Sequence, residues 1–247
     1  MGFLAYFDYL GFKDFIEKNE PEYQEKIVNN IFRDIEGALG QGKVVETEHG
    51  HIADLSELRI NCINFSDTVI FWTDANGVDS LNDLLGVALR FNWTCIDYFF
   101  PVRGCIVFDD IIHYKFDHVS KKGGTYGINS IIGKGLVKAH QKAESQNWAG
   151  TVIDDTILKY LEEVAVSVDE FLSPYAKPYK VPYHSDMDNE EEWVLHLVTS
   201  KGKMHDEAFQ NMCRNITENF AAHNKRTDSA SVQIKLKNTI AFLRSYM

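Results

Sequence analysis

Phe3-Leu4-Ala5-Tyr6-Phe7-Asp8-Tyr9-Leu10-Gly11-Phe12 opens the chain as an apolar run of strand character that ends in a carboxylate and a glycine-containing turn. An acid at the end of a buried strand is costly unless its charge is compensated. Further along, Ile60-Asn61-Cys62-Ile63-Asn64-Phe65 leads into Ser66-Asp67-Thr68 and returns as Val69-Ile70-Phe71-Trp72. These two strands, 58–65 and 68–73, lie so close in sequence that they form a tight hairpin with Asp67 at its tip. Two strand-end aspartates set among core residues predict one divalent cation, or two, between them, and therefore a metal-dependent enzyme acting on a phosphate ester.

Hard Mg2+ or Mn2+ ions prefer carboxylate oxygens and share their remaining positions with phosphates and water. Two such ions about 4 Å apart lower the pKa of an attacking hydroxyl and neutralise a leaving pyrophosphate. The main-chain carbonyl of Tyr9 can lend another oxygen, and the amides of Leu10, Gly11 and Phe12, entering a helix, can hold a triphosphate tail. At Gly11 a side chain would push the backbone away from phosphate. Read without further context, two turn aspartates at strand ends are an equally open alternative.

Composition narrows the field. In 247 residues, 45% hydrophobic and 25% charged, a full core is expected. With 25 basic against 36 acidic residues the net charge is -11, which argues against a grip on nucleic acid. A small anionic substrate fits, because a metal and a few local cations can reverse the field inside one cleft. No stretch reaches the roughly 18 consecutive apolar residues of a membrane span. The N-terminus lacks a basic region and carries Asp8 too early for a signal peptide, and Tyr6 stands where myristoylation needs Ser or Thr. A cytoplasmic location is expected. Cys62, Cys95, Cys105 and Cys213 lie far apart in apolar segments and are read as small core residues.

Taken in order, Gly11 to Lys18 opens a helix, and Pro21 starts a second with Tyr23, Ile27, Ile31, Ile35 and Leu39 at helical spacing, ended by Gly40 and Gly42. The polar segment 46–57, with His49 and His51 around Gly50, is expected to be an exposed loop. Asp79 and Ser80 are expected to cap a long helix that runs to Tyr98 and stops before Pro101. A strand 102–108, a turn at Asp109-Asp110 and a strand 111–116 follow. Ser120 to Gly127 is a basic, glycine-rich loop and a candidate to meet phosphate, or else a solvated turn. Residues 131–147 are expected to be helical, 150–153 a strand, 156–163 a helix and 193–197 a strand, with the Pro- and Tyr-rich 173–189 showing little periodicity. Two helices from about Asp206 onward, joined at 223–228, are expected to serve packing or oligomerisation. The pattern predicts an α+β fold with a central, mostly antiparallel sheet flanked by helices.

Four blocks carry a resemblance: Phe7-Asp8-Tyr9-Leu10-Gly11-Phe12-Lys13, Phe65-Ser66-Asp67-Thr68-Val69, Arg103-Gly104-Cys105-Ile106, and Ile132-Gly133-Lys134-Gly135-Leu136-Val137-Lys138-Ala139 with Glu144. Together they resemble the pyrimidine nucleotide cyclases of bacterial Pycsar anti-phage systems, relatives of class III adenylate and guanylate cyclases. The first two blocks are shared by class III cyclases broadly; the third and fourth point to the Pycsar branch. The resemblance implies a ferredoxin-like cyclase core over 1–155, with 156–247 as a C-terminal extension of helices and a strand packed on it. It implies a head-to-tail homodimer with active sites between the protomers. The implied substrate is UTP or CTP, whose 3'-hydroxyl attacks the α-phosphate to give a 3',5'-cyclic pyrimidine monophosphate and pyrophosphate. The product would act on a separate cyclic-nucleotide-activated effector.

Residue by residue, Asp8 and Asp67 match the two metal-binding aspartates, and Arg103 matches the arginine beside the nucleotide. The sequence departs from class III cyclases in one respect. The helix that ordinarily carries a ribose-orienting asparagine and a transition-state arginine here reads Val137-Lys138-Ala139-His140-Gln141-Lys142. Arg103, Lys134 or Lys138 would have to take over that charge, or the enzyme is slow. The usual purine-selecting Lys and Asp have no counterpart, which favours a pyrimidine and, on family frequency, uracil. Other readings stay open: a purine cyclase, a polymerase-palm relative making a dinucleotide, or a cyclase-like dimer that senses nucleotide without turning it over.

Overall fold

A computed structural model describes residues 1–48, 50–184, 191–198 and 203–247. His49 therefore lies outside the described residues, as does the end of the Pro- and Tyr-rich segment. In chain order the elements are β1 (Gly2–Tyr9), α1 (Phe12–Lys18), α2 (Pro21–Leu39), β2 (Val44–Thr47), β3 (Gly50–Ala53), β4 (Asn61–Phe65), β5 (Thr68–Trp72) and α3 (Val78–Tyr98). Then come β6 (Val102–Asp109), β7 (Ile112–Val119), β8 (Thr125–Ile132), α4 (Lys134–Ser145), β9 (Gly150–Ile153), α5 (Asp155–Glu163) and α6 (Val168–Leu172). The chain ends with β10 (Ala176–Tyr179), β11 (Glu192–Leu195), α7 (Asp206–Ala221) and α8 (Ala230–Arg244).

β1 is an interior strand, next to the middle strand β6, of a seven-stranded sheet of order β10-β11-β9-β6-β1-β5-β4. All neighbouring strands are antiparallel except β6 and β9. Because helices cover both faces, both faces of β1 are apolar, which is why its sequence shows no alternation. Phe3, Ala5, Phe7 and Tyr9 face a large core with α2 and α3. Leu4 and Tyr6 face the other way, against Cys105, Val107 and Ala139 and Ala143 of α4. Gly104 sits where β1, β6 and β9 are pressed together; a Cβ there would stand 2.7 Å from the Tyr6 carbonyl and 2.8 Å from Thr151 Oγ1.

The C-terminal part is built into the same core. Phe209, Ile216, Phe220, Phe242 and Leu243 belong to the main cluster, and Thr239 Oγ1 accepts the Ala149 amide at 2.8 Å. β10 joins the sheet at its edge, where Pro178 is tolerated because no further strand needs its missing N–H.

The structure corrects several sequence-based expectations. Within 46–57 the chain forms the exposed hairpin β2–β3 instead of a loop, its side chains too polar and too exposed to show strand periodicity. Gly77, not Asp79 or Ser80, precedes α3, and it makes no side-chain cap; Asp79 lies in the first helical turn, where its charge suits the helix dipole. The strand after the Asp109-Asp110 turn runs on to Val119 and pairs with β8, so residues 131 and 132 end a strand and α4 begins at Lys134. That pair forms a ribbon separate from the main sheet. No described helix is long and apolar enough to cross a membrane.

Candidate active site

Asp8 is the last-but-one residue of β1 and is directly opposite Thr68 of β5 on one side and Arg103 of β6 on the other. Asp67 occupies the two-residue turn between β4 and β5, after Ser66, which takes the left-handed φ of 57°. The Tyr9 amide donates to the Asp67 carbonyl at 2.9 Å, which ties the turn to the end of β1. Both aspartates are half-buried, and the Asp67 charge acts on Asp8. Burial pushes the Asp8 carboxyl above its ordinary value of 3.8; Arg103 opposes that shift, and Asp67 and Glu144 add to it.

Arg103 Nε donates to Asp8 Oδ2 at 2.9 Å, and its Nη1 donates to the Glu144 carbonyl at 3.1 Å. Glu144 Oε2 lies 3.5 Å from His140 Nε2, whose Nδ1 meets the Tyr6 hydroxyl at 3.0 Å; Tyr6 in turn lies 3.4 Å from Thr68 Oγ1. One polar chain thus links α4 to both strands that flank Asp8. Of this chain the sequence reading names Asp8 and Arg103 as candidate site residues, and Glu144 enters it only within a resembling block.

Asp8, Asp67 and Arg103 line a cleft of about 300 Å³ together with Tyr9, Leu10, Gly11 and Phe12. The Leu10 amide is not available to a ligand there, because it donates to the Pro101 carbonyl at 2.8 Å. The Gly11 and Phe12 amides precede the first helical hydrogen bond of α1 and have no partner within it. Gly11 takes φ 82°, a conformation that favours glycine. The far wall comes from an unexpected source: Phe220, Lys225, Arg226, Val232 and Lys235 of the C-terminal helical pair. Its only trace in the sequence is Lys225-Arg226, two adjacent cations between helices of an acidic chain.

Lys134 and Lys138 are elsewhere. Lys138 Nζ pairs with Asp109 Oδ2 at 3.2 Å, and Asp109 lies opposite Gly2, at the other end of β1 from Asp8. Six residue steps along β1 separate Gly2 from Asp8, roughly 20 Å at the ordinary rise per residue. Within one protomer neither lysine joins the aspartates.

Two converging carboxylates are the donor set that a hard divalent cation takes. Among the described residues no group of three or more His, Cys, Asp or Glu side chains converges. An ion held by Asp8 and Asp67 would complete its shell with a main-chain carbonyl such as that of Tyr9, with water, or with substrate phosphate.

No family model matches the chain, and no curated protein matches it in sequence. Solved structures do resemble it. The guanylate cyclase domain of RhGC from Catenaria anguillulae, in complex with GTP, aligns with a TM-score of 0.53 and 8% identity, over 79% of this chain and 95% of that one. A dimeric guanylyl cyclase domain of the RhoGC fusion protein from the aquatic fungus Blastocladiella emersonii aligns with the same score and identity, over 78% and 94%. The catalytic core of a rhodopsin-guanylyl cyclase with converted specificity, in complex with ATPαS, does so equally. The chain has the α+β fold of class III nucleotide cyclase domains, a central mostly antiparallel sheet flanked by helices.

Proposed function

We propose that the protein is a metal-dependent nucleotide cyclase that converts UTP or CTP to the 3',5'-cyclic monophosphate and pyrophosphate, making a second messenger for a separate effector in anti-phage defence. The observation that carries the reading is the meeting of Asp8 and Asp67 at the end of β1, in a cleft lined by five cationic side chains within a chain of net charge -11. A cleft of that sign suits a polyphosphate, and paired strand-end carboxylates suit the metal that accompanies one.

Two Mn2+ or Mg2+ ions, held by Asp8, Asp67 and the Tyr9 carbonyl, would acidify the 3'-hydroxyl and screen the leaving pyrophosphate. The protein's own part is positional. Arg103, fixed between Asp8 and the Glu144 carbonyl, contacts the base or the phosphates. The Gly11 and Phe12 amides receive the triphosphate. Attack on the α-phosphorus forms the cyclic ester and breaks the α–β bridge, with pyrophosphate leaving toward the cationic wall.

The reading includes a cytoplasmic homodimer with composite sites, in which Lys134 and Lys138 of the partner subunit approach the nucleotide. An observation on β7–β8 supports the dimer. Ile112, Tyr114, Phe116, Tyr126 and Ile132 share one face of the ribbon and are all exposed, whereas on its opposite face Ile131 is buried and His113 lies 4.8 Å from Trp72. An exposed apolar strip of this kind marks an interface. A purine cyclase is the second reading, favoured by the GTP held in the similar Catenaria domain. Incubation with ATP, GTP, CTP and UTP in Mn2+, with products identified by mass, tests both: a cyclic pyrimidine nucleotide supports the first, and cyclic AMP or cyclic GMP the second.

A further inference from the structure

The α7–α8 loop, His223-Asn224-Lys225-Arg226, is fastened to the beginning of the chain. Asn19 Nδ2 donates to the His223 carbonyl and Asn224 Nδ2 to Asn19 Oδ1, both at 2.8 Å. The Arg226 amide donates to Asp14 Oδ2 at 2.9 Å, and its guanidinium meets both Asp14 oxygens at 3.2 Å. These bonds lay Lys225 across Gly11, where an added Cβ would stand 2.9 Å from Lys225 Cδ.

Packing accounts for the carbon stem of Lys225 but not for its amine. The residue is 7% exposed, and Nζ has no hydrogen-bond partner among the described residues. Nζ lies over the Phe100 ring, 3.7 Å from its centroid. A cation buried this way is destabilising, and a methionine would fill the same space without that cost. Yet Lys225 lines the Asp8–Asp67 cleft. Lys235 lines it from α8, near enough to Arg103 for the two like charges to repel. Lys235 Nζ donates to Ser231 Oγ at 2.7 Å, and among the described residues neither lysine forms an ion pair with an acid. Cations gathered in one cleft without acids are what a polyanion would neutralise.

We infer that Lys225 and Lys235 bind the polyphosphate of the substrate, so that the C-terminal helical pair supplies in cis the cations that hold the terminal phosphates of a nucleoside triphosphate. This rests on the cyclase reading and deepens it. The loop that carries Lys225 is held by hydrogen bonds to Asp14 and Asn19, so the lysine reaches the cleft without a partner subunit.

The test is calorimetric titration with inorganic tripolyphosphate in Mg2+, alongside steady-state kinetics with UTP in Mn2+. Lys225→Met and Lys235→Met are each expected to weaken tripolyphosphate binding roughly 10- to 100-fold and to raise KM more than they lower kcat. Lys237→Met, on an exposed position of α8, is expected to bind as the wild type does. An unchanged or higher melting temperature for Lys225→Met shows that the loss is not unfolding. Wild-type affinity in both lysine variants overturns the inference, as does a wild type that does not bind tripolyphosphate. Lysine-dependent tripolyphosphate binding without any cyclic product supports the inference and overturns the cyclase reading.

Discussion

Arg103 and Asp8 are cross-strand partners in the centre of the sheet, joined by a 2.9 Å hydrogen bond, and each side chain is only 15% exposed. The arginine fork is what allows one side chain to hold Asp8 and the Glu144 carbonyl together. Arg103→Lys removes one of the two contacts and is expected to lower kcat/KM by at least about tenfold. Glu144→Gln leaves the main-chain acceptor in place and touches a side chain 57% exposed, so its stability is expected to stay within about 0.5 kcal/mol of wild type. Steady-state kinetics and urea denaturation check both. An Arg103→Lys enzyme with full kcat/KM contradicts the role assigned to the arginine.

Asp8→Asn and Asp67→Asn are expected to cut turnover at least about a hundredfold, more than the loss of a group that merely supports a metal ligand. Stability moves differently. The fold disfavours ionised Asp8, since its carboxyl lies above 3.8, so its contribution falls as pH rises from 3.8 through the folded value. Asparagine removes the charge and keeps an acceptor for Arg103, so at pH 7 the melting temperature of Asp8→Asn should be unchanged or about 1–3 °C higher. Alanine would leave the Arg103 Nε without that acceptor, so Asp8→Ala is not expected to be stabilised. Thermal melts of the three variants distinguish these outcomes, and a marked fall for Asp8→Asn contradicts the expected sign.

Lys225 gives the chain a pH signature. Burial brings its amine from the ordinary 10.5 down to about 7. Among the described residues no acid pairs with it; His223 on the same loop is itself brought down to about 4 by burial and by Lys225, and stays neutral above that. Below pH 7 both states carry the proton and the penalty is full. Between 7 and 10.5 only the unfolded chain holds it, so this contribution to stability rises with pH. Lys225→Met should therefore be more stable than wild type at pH 6.5, with the difference shrinking by pH 9.5. Urea unfolding at the two values checks this, and an equal difference at both contradicts it.

The ribbon predicts an assembly state. At micromolar concentration the wild type is expected to be a dimer by light scattering. The double variant Phe116→Glu, Tyr126→Glu is expected to be an inactive monomer that melts close to wild type, since both side chains are already exposed. A monomeric wild type contradicts the composite site.

The elements legible in the sequence are those whose apolar residues form a clear pattern. β1, the β4–β5 hairpin and α3 read correctly because their apolar residues run in unbroken or helical patterns, and the acids they carry stand out against that background. β2–β3 and β8 are hidden because they lie mostly in solvent, where residue choice is weakly constrained. β10 is masked by Pro178 at the sheet edge. The cationic wall is not legible for a different reason. Lys225 meets Gly11 across most of the chain's length, and nothing local to either residue encodes that contact. The same holds for Tyr6 and His140, joined only by the docking of α4 on β1.

The most direct test of the proposed chemistry is a 31P NMR time course of UTP with wild type and Asp67→Asn in Mg2+. Cyclic phosphodiester and pyrophosphate are expected in equal amounts with wild type, and neither with the variant. UDP and inorganic phosphate, or cyclic product undiminished in Asp67→Asn, would contradict two-aspartate cyclase chemistry.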